Sequence, residues 1–149
     1  MRTTDFTKAP PQAQATELFV GATRYRSPLA ILRVSVSYLR MVRDMKRMRG
    51  YCWHKLYWQF PLTLGTVAFF TDRDAMLRFA RSRHHRELMV WLTDGTRNAT
   101  GGFIRLYSAE RSGYSNGAWR AEGDEMGHIQ QFTPLSREDV GPAVIRSGS

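Results

Sequence analysis

Along Glu17–Tyr25 the side chains alternate, with Leu18, Val20 and Ala22 on one side and Phe19, Gly21 and Thr23 on the other. A period of two predicts a strand, and because both sides are apolar or small it predicts one covered on both faces. The period then lengthens. Ile31, Val34, Tyr38, Met41, Met45 and Met48 recur at alternating steps of three and four, which draws one buried stripe along a helix. Ser27-Pro28 supplies an N-cap and a first-turn proline, and Gly50 marks the end. The other side of this helix carries Arg33, Arg40, Arg43, Lys46, Arg47 and Arg49. Tyr51–Phe60 is rich in aromatic residues and reads as a strand, with Cys52, His54, Leu56, Trp58 and Phe60 on one side and Tyr51, Trp53, Lys55, Tyr57 and Gln59 on the other. Pro61 ends it, and Leu62–Phe70 forms the next strand, antiparallel through a short connection. A second helix over 71–95 follows, opened by Thr71 with Asp74 as a capping box and closed by Gly95. Met76, Ala80, Leu88 and Trp91 share its stripe, flanked by Leu77 and Phe79. His84 falls inside that stripe and His85 at its edge. After Gly101-Gly102, Phe103–Ser108 is the last strand.

The order strand, helix, strand, strand, helix, strand specifies an α+β protein, a ferredoxin-like βαββαβ sandwich with an antiparallel sheet and helices on one face. Phe19, Trp53, Tyr57 and the Phe69/Phe70 pair place bulky residues on both faces. An apolar second face calls for a partner, so a homodimer is expected. Residues 1–16 read as a flexible N-terminal lead, 17–109 as the domain, and 110–149 as a Gly- and Ser-rich arm. In that arm Trp119, Met126, Ile129 and Phe132 pack on the body or across the dimer.

Charge sharpens this picture without deciding it. Of a net +9, residues 110–149 hold four arginines against six acidic side chains, leaving 18 basic against 7 acidic in residues 1–109. Such an excess suits an anionic partner (nucleic acid, a membrane surface, a carboxylate-bearing cofactor) or is a solvated basic face. The lone Cys52 excludes an internal disulfide, and no apolar run is long enough to span a membrane or act as a secretory signal. The expectation is a cytoplasmic protein without a membrane span.

Candidate chemistry concentrates on the second helix. Two adjacent histidines in an Arg-rich turn are either satisfied structural groups or ligands. His54, His84, His85 and His128 show no H-E-x-x-H, cysteine pair or neighbouring carboxylate cluster, and no phosphate-binding glycine loop is present. An RNA-recognition module has the same element order, and Leu18-Phe-Val-Gly-Ala mimics its first-strand motif. The third strand argues against it, because Thr66 and Ala68 stand where stacking rings are required. Nucleic acid is therefore not the expected partner.

Trp58 with the Phe69-Phe70 strand end, Phe79-Ala80-Arg-Ser82-Arg-His-His85, and Gly101-Gly102-Phe103 give the chain a resemblance to the dimeric α/β-barrel monooxygenase superfamily. The likeness is greatest to spheroidene-monooxygenase-like and monooxygenase-like proteins and covers about residues 17–108. It implies a dimeric barrel, an oxidoreductase of the monooxygenase type and a small apolar or aromatic substrate. In haem members an axial histidine comes from the second helix. By resemblance that ligand to iron is His85, in a Ser-x-x-His spacing from Ser82, whereas helical periodicity points His84 inward; a local kink would rotate either one in. Haem would be walled by Trp58, Phe69, Phe79 and Trp91, with Arg83, Arg86 and Arg105 for its propionates. The alternative is a cofactor-free quinol oxygenase, in which His54, Trp58 or Asn98 orients and deprotonates an activated phenol. A catalytically silent dimer is the remaining reading.

Overall fold

The structure, a computed structural model, describes residues 2–115 and 117–119. In chain order its elements are β1 (Arg2–Thr3), α1 (Pro11–Gln14), β2 (Glu17–Tyr25), α2 (Pro28–Arg47), β3 (Tyr51–Gln59), β4 (Thr63–Phe70), α3 (Arg73–Ala80), α4 (Arg83–Leu92), β5 (Ala99–Ser108) and β6 (Gly113–Tyr114). A 3₁₀ turn follows at Gly117–Trp119. Pro10–Glu110 is one compact unit. The described residues before Pro10 and after Glu110 belong to another, in which β1 pairs antiparallel with β6. The N-terminal lead is thus not featureless: it contributes a short strand and a single helical turn. The arm's Met126, Ile129 and Phe132 lie outside the described residues.

The larger unit is the expected α+β sandwich. Its four-stranded antiparallel sheet runs β3-β4-β2-β5, with β2 central. Cross-strand register sorts the side chains. Phe19, Gly21 and Thr23 of β2 stand beside Ala68, Thr66 and Leu64 of β4 and beside Leu106, Ile104 and Gly102 of β5, all toward the helices. Leu18, Val20, Val67, Phe69, Arg105 and Tyr107 project from the other face. A register shift between Tyr51 and Trp53 turns Tyr51 to the helix side, where alternation alone placed it on the opposite one. On the far face the Tyr57 ring lies over Gly65, where any Cβ would overlap it.

α2 forms as expected. Ser27 Oγ accepts from the Ala30 amide at 3.2 Å, and Val34, Met41 and Met45 are buried, with Ile31, Tyr38 and Met48 packed beside them. Gly50, at φ +93°, makes the turn into β3 in a conformation that L side chains avoid, hard against Ala75.

The second helix departs from expectation. It is capped by Asp72, whose carboxylate accepts from the Ala75 amide at 2.8 Å; Thr71 instead donates to Asp72 at 2.7 Å. More consequentially, it is two helices, α3 and α4, separated at Arg81–Ser82, where Ser82 is extended (φ −63°, ψ 152°). Ala75, Met76 and Phe79 fill the core from α3, while His85, Leu88, Met89 and Leu92 face inward from α4. On an unbroken helix the centres of these two sets would lie about 135° apart. One extended residue resets the phase so that both reach the sheet.

The core centres on a ring stack. Phe79 lies parallel to Phe19 (centroids 5.8 Å, interplanar 6°) and to Phe70 (5.8 Å, 26°), and meets His85 edge-on at 5.0 Å. We predict that Phe79→Ala lowers unfolding free energy by about 3–5 kcal/mol in urea titration. Phe79→Leu, which keeps most of the volume, should cost markedly less, and equal midpoints for parent and Ala variant would refute this placement of the core.

Candidate active site

Between the sheet and its helices lies a cleft of about 470 Å³. Phe19, Thr23, Leu64 and Thr66 of the sheet floor it. α2 contributes Val34, Tyr38, Met41 and Met45; α4 contributes His85, Leu88, Met89 and Leu92. Leu39, Leu56 and Trp58 line it while being exposed, and so form its rim. The volume and apolar lining suit a small aromatic or apolar molecule.

Polar groups in this lining are few and specific. Tyr38 and Thr66 share a hydrogen bond between their hydroxyls at 3.0 Å. Burial raises the Tyr38 phenol above its ordinary value, against the Thr66 bond; burial, then proximity of Tyr38, pushes Tyr25 up to about 12. Both phenols are therefore neutral donors at physiological pH. His85 is the basic group of the cleft. Burial pushes its imidazole below the ordinary value, and the nearby Ala80 carbonyl offsets this only in part. Its Nδ1 is enclosed without a hydrogen bond of good geometry.

The helix break decides between the two histidines. His84 turns away from the cleft to pair through Nδ1 with Asp44 of α2. The hydrogen bond from His84 holds the Asp44 carboxyl below its usual range, against some desolvation and with help from Arg43 and Arg47. His84 lines instead a smaller hollow with Arg33, Arg40 and Trp91. Periodicity points His84 inward, whereas it is His85 that lines the cleft.

The remaining candidates scatter. Phe79 and Trp58 line the cleft. Trp58 donates from Nε1 to the Pro61 carbonyl at 3.2 Å. His54 shares a hydrogen bond with the Tyr51 hydroxyl at 2.6 Å, its pKa lowered by burial and then by Lys46, and it does not line the cleft. Asn98 is buried and donates to the Trp91 carbonyl at 2.9 Å, tying α4 to the β5 approach. Phe69 is on the opposite sheet face against Trp53 (5.6 Å). Periodicity assigns Tyr38 only to the buried stripe of α2 and gives Thr66 no role in a site; the signal available in sequence is a hydroxyl carried on each of two otherwise apolar stripes.

Haem needs an axial imidazole and cations for its propionates. His85 meets the first requirement. The arginines do not meet the second: Arg83 is exposed and pairs with Glu87 at 2.7 Å, Arg86 is exposed, and Arg105 lies on the far sheet face. No Lys or Arg lines the cleft among the described residues. Nor do those residues hold a cluster of His, Cys, Asp or Glu suited to a metal ion. The residues present do not fit haem.

No family model matches the sequence, and no curated protein is detectably similar to it. Solved structures do match. A conserved protein from Methanosarcina mazei Go1 superposes with TM-score 0.56 at 15% identity, over 66% of this chain and 97% of that one. An antibiotic biosynthesis monooxygenase gives 0.53 at 17% identity, over 63% and 98%. The fold is that of the antibiotic biosynthesis monooxygenases. SnoaB, a cofactor-independent oxygenase from Streptomyces nogalater, gives 0.51 at 18% identity, over 64% and 94%. Among the described residues no helix is long and apolar enough to cross a membrane.

The depressed histidines have a consequence for stability. His85 and His54 stay neutral in the folded protein below the ordinary value of 6.5, while their unfolded counterparts take up protons there. Stability supplied by the neutral forms is present above pH 6.5 and lost as pH falls toward the folded pKa values. We predict that unfolding midpoints drop from pH 7 to pH 5 in the parent and drop less in His85→Leu. An identical pH profile for the two proteins would contradict the burial of this imidazole.

Proposed function

We propose that this protein is a cofactor-independent oxygenase of the antibiotic-biosynthesis-monooxygenase type, acting on an electron-rich aromatic substrate such as a quinol. The observation that carries the reading is an apolar cleft whose basic group is a neutral, half-buried histidine, His85. Its support from elsewhere is the fold shared with SnoaB.

A route without a cofactor needs a substrate whose own anion reduces dioxygen. The protein's share is then to take a proton, hold the anion dry and keep its orientation. His85, neutral at pH 7, accepts the proton from the substrate hydroxyl. Of the bonded Tyr38–Thr66 pair, the hydroxyl that accepts from its mate keeps its own proton to donate toward substrate oxygen, and Met45, Leu88 and Met89 exclude water from the reacting ring. The positive charge formed on His85 then sits beside the anion, in surroundings of low dielectric that strengthen the attraction.

Oxygen uptake by the chelator-treated protein with a panel of quinols tests this. The parent should accelerate oxidation above the spontaneous rate, and His85→Ala should lower kcat by about 10²-fold or more with KM little changed. Loss of activity on chelation, or full activity in His85→Ala, would contradict the reading.

We further propose that two copies associate through the sheet face opposite the helices, closing a dimeric α/β barrel. That face carries Leu18, Val20, Trp53, Tyr57 and Phe69, with Phe103 and Tyr107 exposed. Sedimentation equilibrium should return twice the chain mass at micromolar concentration, and Phe69→Arg should return one chain. A parent at one chain mass would refute the association.

A further inference from the structure

The exposed side of α2 is not the polar surface a solvated helix requires. Leu29, Leu32, Val36 and Leu39 recur at steps of three, four and three and form a ridge opposite the buried stripe, with Leu32 69% and Leu39 65% exposed. Leu39 also lines the cleft. Across the mouth, the β3–β4 hairpin presents Leu56, Trp58 (64% exposed) and Phe60 (83%), the last two in edge contact at 6.1 Å. The ridge and the hairpin thus continue the apolar cleft outward onto the surface. Isolated exposed leucines need no explanation, but a patch that runs from a helix ridge across a cavity rim does.

Along α2 the ridge is bordered mainly by basic side chains. Arg33, Arg40, Arg43 and Arg47 are exposed on the same outer side of α2, and the helix's single acidic residue, Asp44, is engaged by His84. A protein partner for an apolar ridge with such a border would need an acidic surround. An anionic bilayer supplies both parts at once: acyl chains for Leu32, Val36, Trp58 and Phe60, and headgroup phosphates for the arginines. We propose that the outer ridge of α2 and the β3–β4 hairpin dock this protein peripherally on an anionic lipid surface, with the mouth of the cleft against it. Apolar molecules dissolved in the bilayer then enter between Leu39 and Trp58 without crossing water. The docking does not depend on the chemistry proposed for the cleft, and binding and turnover are measured separately.

Flotation of the full chain with vesicles of phosphatidylcholine alone and of phosphatidylcholine mixed with phosphatidylglycerol tests the proposal. The parent should bind the mixed vesicles, bind phosphatidylcholine weakly, and weaken on the mixed vesicles alone as salt is raised. Leu32→Glu/Val36→Glu and, separately, Phe60→Ser alter residues that do not line the cleft. Each should lower affinity for mixed vesicles by about tenfold or more, with circular dichroism and thermal midpoint unchanged. Arg40→Gln/Arg43→Gln should lower affinity for mixed vesicles and leave the residual binding to phosphatidylcholine as it was. Three results would overturn the proposal: no binding of the parent to mixed vesicles, binding that all three variants retain in full, or a parent whose sedimenting mass falls when Leu32 and Val36 are charged. The last would assign the ridge to a second copy of the chain.

Discussion

The inward-facing residues of α3 and α4 would centre about 135° apart on an unbroken helix, and the extended backbone at Ser82 lets both sets reach the sheet. The rest of the cleft follows from that constraint. Phe79 enters the ring stack with Phe19 and Phe70, and three residues after Ser82 the His85 imidazole arrives edge-on against Phe79. The same rotation carries His84 outward to Asp44, where it ties α4 to α2 and so fixes the separation of the cleft's two roofing helices. Adjacent residues in sequence thus divide two tasks, one electrostatic and structural, the other facing a dry cavity.

Burial then sets the chemistry. In a lining without a charged side chain of either sign among the described residues, nothing compensates a charge, so burial holds the imidazole neutral and the two phenols protonated. The basic side chains of α2, α3 and α4 all stand exposed, outside the cleft. That segregation bears on both proposals. A cavity free of cations is a poor seat for propionates and a good one for a neutral aromatic, while the cations border an exposed apolar ridge.

Much of the fold was legible because it rests on period. The alternation in Glu17–Tyr25 and the three-four spacing from Ile31 to Met48 each had one solution, and together with the aromatic strands they specified the sandwich. The break at Ser82 was not legible in the same way. Met76, Ala80, Leu88 and Trp91 fit a continuous stripe, and only the competing demand of Met89 and Leu92 for the sheet exposes the phase error. The cap moved by one residue for a local reason, since an aspartate accepts an amide hydrogen bond more strongly than a threonine. Of the candidate residues, His85, Phe79 and Trp58 converge on the cleft. Arg83, Arg86 and Arg105 do not, because sequence position says nothing of whether a long cation reaches inward or is solvated. His54 and Asn98 were sound as polar groups near the core, yet each is satisfied by a partner, Tyr51 or the Trp91 carbonyl, that removes it from the cavity.

The most direct test of this arrangement is to watch both imidazoles by nuclear magnetic resonance while a small apolar aromatic ligand is titrated into protein labelled at histidine. The structure predicts that the His85 ring resonances move with saturation of the ligand and that those of His84, engaged with Asp44, stay in place. Movement of His84 with His85 silent would mean that α3 and α4 are one continuous helix and that the cleft is built differently.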